Sequence, residues 1–487
     1  MKDEPSLQGK VANSLLWSSL ASWGQGVASL LIFMALARLL GPQQLGLFAA
    51  VMVVITFIHM FAEQGLSEAI VQRPDITPGV LNAVALINFA LALLILLATW
   101  YAAPFIAQRM GLPEMVPVLR VVASVILISA MTFAQQAMLR RNFNYRWLSL
   151  STLVSTVVSG ALGIGLAAAG LGVWSMVIQA LTASILSNLL IWSKPQWCMG
   201  LKFDFKGVMP LVSFGSKRLL TNLLEMLSTR YIELFIAATL GAAALGLYSV
   251  GVKLYQALMQ MLGGSLLNVM LNGFSRIAHD RPRLLEAYYR SVGMVMSTVS
   301  AGFILLALLA PELTLALFGE RFAISAHIME PVMVWGALQS IMWSTGTAYN
   351  AIGRPAISLG LGVMRACVLL PVLWWVRDQS LISMVYAFMA AQFATVPVSL
   401  WVARTVLGIS LRRQAWVMLP FVLALLVTAA VVIGLRRIEW VVLLPVWGRL
   451  LLLGLAGVAT YATVVYAIAQ THVRDMVGAL RLAICTA

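Results

Sequence analysis

The chain has 487 residues, of which 61% are hydrophobic and only 10% charged. Soluble domains carry about 25% charged residues, so an ordinary globular fold is excluded. The formal net charge of +15 would suit a nucleic-acid binder, but the basic residues cluster in alternate loops between apolar segments, which is a topology signal instead.

In chain order, Met1 to Lys10 is polar and of mixed charge. The apolar stretch after it is too long for a cleavable signal, so the first helix is expected to remain as a membrane span. Crossing the hydrocarbon takes roughly 20 apolar residues, and on that measure about 14 spans are expected, near 13–38, 47–71, 79–105, 114–138, 147–169, 171–193, 208–238, 244–271, 289–310, 325–350, 354–376, 380–404, 415–435 and 447–470. The longest polar interruption of the first half, Lys194 to Val208, contains Pro195, Gly200, three lysines and Asp204 and reads as a cytoplasmic linker. The expected fold is therefore an all-α polytopic membrane protein of two six-helix lobes, 1–193 and 208–404, joined by the linker 194–207. Two further helices and a cytoplasmic tail fill 405–487.

A repeat supports the two lobes. Leu40-Gly41 and Leu45-Gly46-Leu47-Phe48 reappear as Leu240-Gly241 and Leu245-Gly246-Leu247-Tyr248. Both copies fall between long apolar segments, so one turn joins the same helix pair twice. Internal repeats of this kind place a binding site between related bundles. By this segmentation about 19 of the 32 Lys and Arg lie on one side, and only about five, Arg109, Arg321, Arg377, Arg436 and Arg437, on the other. Both termini are then cytoplasmic. Loops on the other side are short throughout, leaving no room for enzymatic chemistry there.

An ionisable residue inside the membrane is a site candidate by default. The seventh span is the richest: Arg218, Asn222, Glu225, Thr229, Arg230 and Glu233 lie within about 140° of one face at about 100° per residue. That face lines a cavity or is neutralised by ion pairs within it. The first span has a stripe of Ser14, Ser18, Ser22, Gln25 and Ser29 that suits a cavity or close helix packing. The second adds His59, Glu63 and Ser67 at i, i+4 and i+8; His59 suits proton coupling or plain packing. Lys253 and Arg365 lack an acid at i±3 or i±4, which points to an anionic ligand or to a distant partner such as Glu330. Arg281, Arg283 and Arg290, beside Glu286, Tyr288 and Tyr289, read as an amphipathic surface helix on anionic lipid. Trp100, Trp147, Trp192, Trp375 and Trp440, near helix ends, read as interfacial anchors. Cys198, Cys367 and Cys485 show no ligand spacing and read as small packing residues, so no metal or cofactor is expected.

Several motifs together carry a family resemblance. Ala37-Arg38-Leu39-Leu40-Gly41-Pro42, Leu45-Gly46-Leu47 and Gly65-Leu66-Ser67-Glu68-Ala69-Ile70-Val71-Gln72-Arg73 open the chain. Leu139-Arg140-Arg141-Asn142-Phe143 and Gly170-Leu171-Gly172-Val173-Trp174 follow. The second half supplies Leu245-Gly246-Leu247-Tyr248-Ser249, Phe274-Ser275-Arg276 and Leu317-Phe318-Gly319-Glu320-Arg321-Phe322. In this order they resemble the polysaccharide transporter family, which includes the Wzx-type oligosaccharide flippases and belongs to the superfamily that also holds the MATE drug exporters. Family members often have a proline before Phe-Ser; here Leu271-Asn272-Gly273 takes its place.

The resemblance implies a bacterial inner-membrane flippase, not an enzyme. Its substrate would be an undecaprenyl-diphosphate-linked oligosaccharide, moved from the cytoplasmic to the periplasmic leaflet by alternating access. Arg218, Arg230, Lys253 and Arg365 are the candidate headgroup cations, and His59, Glu63, Glu225, Glu233 and Glu330 the candidates for charge pairing or ion coupling. The implied partners are the lipid-linked substrate, membrane lipid, H+ or Na+ as coupling ion and polysaccharide-assembly proteins; nucleic acid is not among them. Rival readings are a lipid II flippase, a MATE-like drug antiporter, and a membrane polysaccharide polymerase or ligase. The basic excess disfavours export of cationic drugs, and the scattered His59, His279, His327 and His472 disfavour catalysis.

Overall fold

A computed structural model describes residues 7–63, 66–72, 76–142 and 144–468; along 7–22, 212–229 and a few neighbouring positions it describes the backbone alone. The described residues are predominantly helical, with no strand among them. They divide into two compact units, Met1–Ser249 and Val250–Ala487.

The first unit holds α1 (Leu7–Glu63), α2 (Leu66–Gln72), α3 (Pro78–Arg109), α4 (Met115–Val122), α5 (Ser124–Arg141), α6 (Tyr145–Ala168), α7 (Val173–Trp192) and the start of α8 (Met209–Arg276). The second holds the rest of α8, then α9 (Arg281–Val295), α10 (Ala301–Leu308), α11 (Ala310–Phe318), α12 (Ala326–Ala351), α13 (Pro355–Trp375), α14 (Leu381–Ala394), α15 (Val396–Leu407), α16 (Leu411–Arg436), α17 (Glu439–Val442) and α18 (Val446–Ile468). Starts follow local chemistry. Thr77, Asp280, Ser380 and Ser410 each accept a hydrogen bond from the backbone N–H three residues on, capping α3, α9, α14 and α16.

Eleven helical segments among the described residues are long and apolar enough to cross a membrane, against about 14 expected from composition. Two of the eleven, Trp23–Phe61 and Arg230–Leu262, contain a bend where the sequence placed a turn. Helix α12 coincides with the expected span at 325–350 but stands outside the eleven; it carries His327, Glu330 and a run of Gln, Ser and Thr.

Both bends fall on the repeated glycine with nearly the same backbone: Gly41 at φ 78°, ψ 175° and Gly241 at φ 81°, ψ −177°. A positive φ strains any residue with a Cβ, which accounts for glycine at both positions. Five residues on, the second repeated glycines pack on each other's turn. A Cβ on Gly46 would lie 1.6 Å from the Ala242 carbonyl oxygen, and one on Gly246 2.0 Å from that of Pro42. The two turns therefore cross backbone to backbone inside the first unit.

In that unit α6 packs against α1 and α7, and α5 against α3 and α7. Small residues Ser151, Ser155, Ser159, Gly160 and Gly163 form the buried stripe of α6, the composition that lets membrane helices approach closely. The stretch expected as a cytoplasmic linker is strapped to the unit by hydrogen bonds. Buried Asn82 donates to the Lys202 carbonyl (2.8 Å) and accepts from Trp197 Nε1 (3.0 Å) and Gly200 N (3.3 Å). Buried Gln135 donates to the Trp197 carbonyl and accepts from Gln196 N (2.9 Å). Asp204 N donates to the Gly79 carbonyl at 3.0 Å. The Arg-Arg-Asn motif holds the same end: Arg140 reaches Ser67, Arg141 donates to the Ile70 carbonyl (2.9 Å), and Asn142 to Gln196 (3.1 Å).

The second unit packs around Tyr288, Tyr349, Phe274, Phe421, Val292 and Ile341. A π-helical turn at Met296–Ser300 joins α9 to α10. Hydroxyl pairs bind this long helix to α12: Tyr288 with Thr345 (3.1 Å), Ser291 with Ser344 (3.1 Å) and Ser300 with Ser340 (2.9 Å). The helix expected to lie on lipid is thus built into the core, and Glu286 on its outer face bridges Arg290 and Arg413. Helix α16, expected as an accessory, supplies Phe421, Ala424 and Leu425 to the same core. Trp100, Trp375 and Trp440 are exposed as anchors should be, whereas Trp147 and Trp192 also donate to the Leu190 and Met131 carbonyls. Cys198 and Cys367 are exposed and free rather than packed; Cys485 lies outside the described residues.

Gly46→Ala and Gly246→Ala each force a methyl into a carbonyl oxygen, so both are expected to destabilise the protein by at least about 1–3 kcal/mol. Gly165→Ala, where a Cβ meets open space, is the control. Thermal unfolding in detergent should show lower midpoints for the first two alone.

Candidate substrate cavity

A face of α12 carries Gln339, Met342, Trp343, Gly346, Thr347 and Asn350, all within about 140° at about 100° per residue. With Leu267 and Leu271 of α8 and Arg365 of α13, this face encloses a cavity of about 300 Å³ in the second unit. The wall is amphipathic: Leu267, Leu271 and Met342 are apolar, while Gln339, Thr347, Asn350 and Arg365 offer donors and acceptors. A Cβ at Gly346 would meet no atom within 4 Å, so this position of the wall borders open space.

Arg365 is held in place by an aromatic. Its guanidinium carbon lies 5.6 Å from the Trp335 ring centroid. Trp335 is itself buried and meets the Phe393 ring edge to face at 5.5 Å. A ring face attracts a guanidinium more strongly where water is scarce, and Arg keeps its charge in such a setting. Next to it, Tyr255 donates to Gln339 Oε1 at 2.7 Å, which orients the Gln339 amide. The arrangement presents a fixed planar cation and amide groups beside an indole. That chemistry suits an anionic group carried on a hydroxyl-rich body.

The other candidates are distributed differently. Arg230 Nη1 donates to both oxygens of Glu233, at 3.0 and 3.2 Å, and Glu233 is buried; this is the internal neutralisation left open by the sequence. Lys253 lies half-buried on α8 and is not part of the cavity wall. Glu330 stands among His327, Arg436 and Glu312, a setting separate from the cavity lining. His59 is in α1, whereas Ser67 sits on the separate helix α2 and faces Arg140. The side chains of Arg218, Glu225 and Glu63 lie outside the described residues.

Sequence reasoning missed the polar face of α12 and the buried Glu312. The face was readable: Gln339, Thr347 and Asn350 recur at helical spacing within an otherwise apolar span. Glu312 was not, because Ala310-Pro311-Glu312 reads as a loop edge. In the structure only 3% of its side chain is exposed and it pairs with Arg436 at 2.7 Å, while Arg436 also donates to the Leu308 carbonyl.

Helices of this length and apolarity are those of a multi-pass membrane protein. Residues 35–327 match the sequence pattern of the polysaccharide biosynthesis protein family, and the chain belongs to that family. It is 23% identical over 399 residues to the succinoglycan biosynthesis transport protein ExoT of Rhizobium meliloti (strain 1021), covering 76% of this chain and 81% of that one. It is 21% identical over 434 residues to the lipopolysaccharide biosynthesis protein WzxC of Escherichia coli (strain K12), covering 86% of each. The fold is similar to that of the lipid II flippase MurJ in its inward closed conformation, with a TM-score of 0.75 at 13% identity over 95% of this chain and 100% of that one. The protein is thus a bacterial inner-membrane transporter of the polysaccharide-export class rather than an enzyme.

The Glu312–Arg436 pair generates a prediction. Glu312→Ala leaves Arg436 without its carboxylate and is expected to lower stability by about 3 kcal/mol. The double change Glu312→Ala, Arg436→Met removes both charges and should restore much of the loss. Chemical denaturation of the purified variants checks both.

Proposed function

We propose that the protein is a flippase that carries an undecaprenyl-diphosphate-linked oligosaccharide from the cytoplasmic to the periplasmic leaflet, for exopolysaccharide, capsule or O-antigen assembly. The observation that carries this reading is Arg365, fixed against Trp335 on the wall of an amphipathic cavity among apolar helices. A diphosphate and its sugars do not enter hydrocarbon unaided. A guanidinium gives the phosphate charge-assisted, bidentate hydrogen bonds, and Trp343, Gln339 and Asn350 offer the sugars a stacking face and amide partners. The polyprenyl tail stays in the bilayer.

In this reading the chain crosses the membrane about 14 times, with six-helix lobes at 1–193 and 208–404, two added helices after 405 and both termini in the cytoplasm. Alternating access follows from rocking of related bundles. Arg218 and Lys253 are retained as further headgroup cations. Arg230 is assigned to its pair with Glu233, and His59, Glu63, Glu225 and Glu330 remain candidates for coupling to H+ or Na+. Polysaccharide-assembly proteins are the expected partners. The names of ExoT and WzxC support a polysaccharide cargo over a peptidoglycan precursor, and a cation in the cavity wall speaks against cationic drugs.

In a deletion strain of the native host, lipid-linked oligosaccharide is expected to accumulate in the cytoplasmic leaflet while surface polysaccharide is lost. Arg365→Ala should restore about ten- to a hundredfold less export than the wild type, the loss of one charged hydrogen-bonding group at about 1.5–3 kcal/mol. Arg365→Lys should fall between, since it keeps the charge and loses the planar fork. Accumulation in the periplasmic leaflet would instead indicate a polymerase or ligase, and no accumulation with normal surface glycan would indicate drug export or a redundant transporter.

A further inference from the structure

We propose that the linker 194–207 is an interfacial anchor, with its apolar side chains inserted into an anionic lipid leaflet. Apolar and polar residues alternate through Met199, Leu201, Phe203 and Phe205 against Gly200, Lys202, Asp204 and Lys206. The apolar set points out of the protein: Leu201 is 96% exposed, Phe205 54%, Met199 51% and Phe203 38%. Phe203 and Phe205 stack with centroids 6.1 Å apart, so both rings share that outer face.

The depth of this face is set by hydrogen bonds. The Lys202 carbonyl is held by Asn82, and Asp204 N by the Gly79 carbonyl. Gly79 and Asn82 are in the first turns of α3, the start of the spanning segment Pro78–Arg109. The strap therefore sits level with the end of a membrane span, where the hydrocarbon meets the headgroups. Trp197 packs inward against the core around Val80, Leu81, Val84 and Phe133, which orients the opposite side outward. In water, four neighbouring apolar side chains would form a patch of the kind that marks an interaction site. At the interface they enter the acyl boundary while Lys202 and Lys206, both exposed, remain among the headgroups, the usual division in interfacial segments. Three exposed lysines, Lys194, Lys202 and Lys206, against one aspartate favour anionic lipid.

The test uses the full chain in vesicles of phosphatidylethanolamine and phosphatidylglycerol, with Cys198, Cys367 and Cys485 replaced by serine. A nitroxide is attached to Leu201→Cys, Phe205→Cys or Lys206→Cys. These side chains are exposed, so labelling disturbs no core packing. Collisions with oxygen, which concentrates in lipid, are compared with collisions with a water-soluble nickel chelate. The ratio of oxygen to chelate accessibility is expected to be several-fold higher at 201 and 205 than at 206, and to fall at 201 when phosphatidylcholine replaces phosphatidylglycerol. Equal chelate access at all three sites would place the linker in water and overturn the proposal. Shielding of 201 and 205 from both reagents would mean a protein contact and would overturn it equally. An unchanged ratio in phosphatidylcholine would overturn the requirement for anionic lipid.

Discussion

A charge at the depth of membrane hydrocarbon must be paired or must face a polar cavity, because its transfer from water is otherwise prohibitive. That constraint sorts the ionisable residues of this chain. Arg230 and Glu233 satisfy each other one helical turn apart, and Arg436 meets Glu312 across α16 and α11. Arg365 takes the other course, lying over an indole on the wall of a cavity lined with amide and hydroxyl groups. The first pair neutralises charge within α8, and the second ties α16 to α11. The third is the one assigned to the substrate headgroup in the proposed function.

The same accounting explains buried polar residues that carry no charge. Asn82 and Gln135 are uncharged polar residues buried within spans, a placement that polarity alone would suit to a cavity wall. They are instead spent on the backbone of the linker, which has no helix of its own to satisfy its carbonyls and amides. The hydroxyls of Ser291, Ser300, Ser340 and Ser344 likewise join one helix to the next. Polarity inside a span is thus evidence of a task, and only the neighbours reveal whether the task is assembly or binding.

Span positions were legible because apolar runs of the right length admit few alternatives; the helices at 79–105, 354–376 and 447–470 lie where composition places them. The repeat was legible for a related reason, since Gly41 and Gly241 are required by a positive φ and so leave a mark in sequence. What the repeat could not disclose is that Gly46 and Gly246 meet, because a close approach is a property of two distant segments. Arg365 was singled out by its lack of a helical-spacing partner, yet Trp335, thirty residues earlier in the chain, is what fixes it. Arg230 and Glu233 were legible as a pair or as cavity residues, and rotamers decided between the two. The linker was legible as a polar break between spans, but its hydrogen bonds to Asn82 and Gln135 were not, because they join segments distant in the chain.

The crossing of the two glycine turns and the cation on the cavity wall are the features on which a transport cycle of this chain would depend, one for close backbone packing and one for headgroup affinity. The proposed cargo is an anionic, lipid-linked oligosaccharide. The most direct test is reconstitution of the purified protein into liposomes containing a polyprenyl-diphosphate-linked oligosaccharide, with the sugar exposed on the far leaflet followed by a membrane-impermeant glycosidase. Protein-dependent exposure of the sugar, above that in protein-free liposomes, is the predicted result. Exposure no greater than in protein-free liposomes, alongside protein-dependent movement of a cationic drug, would contradict it.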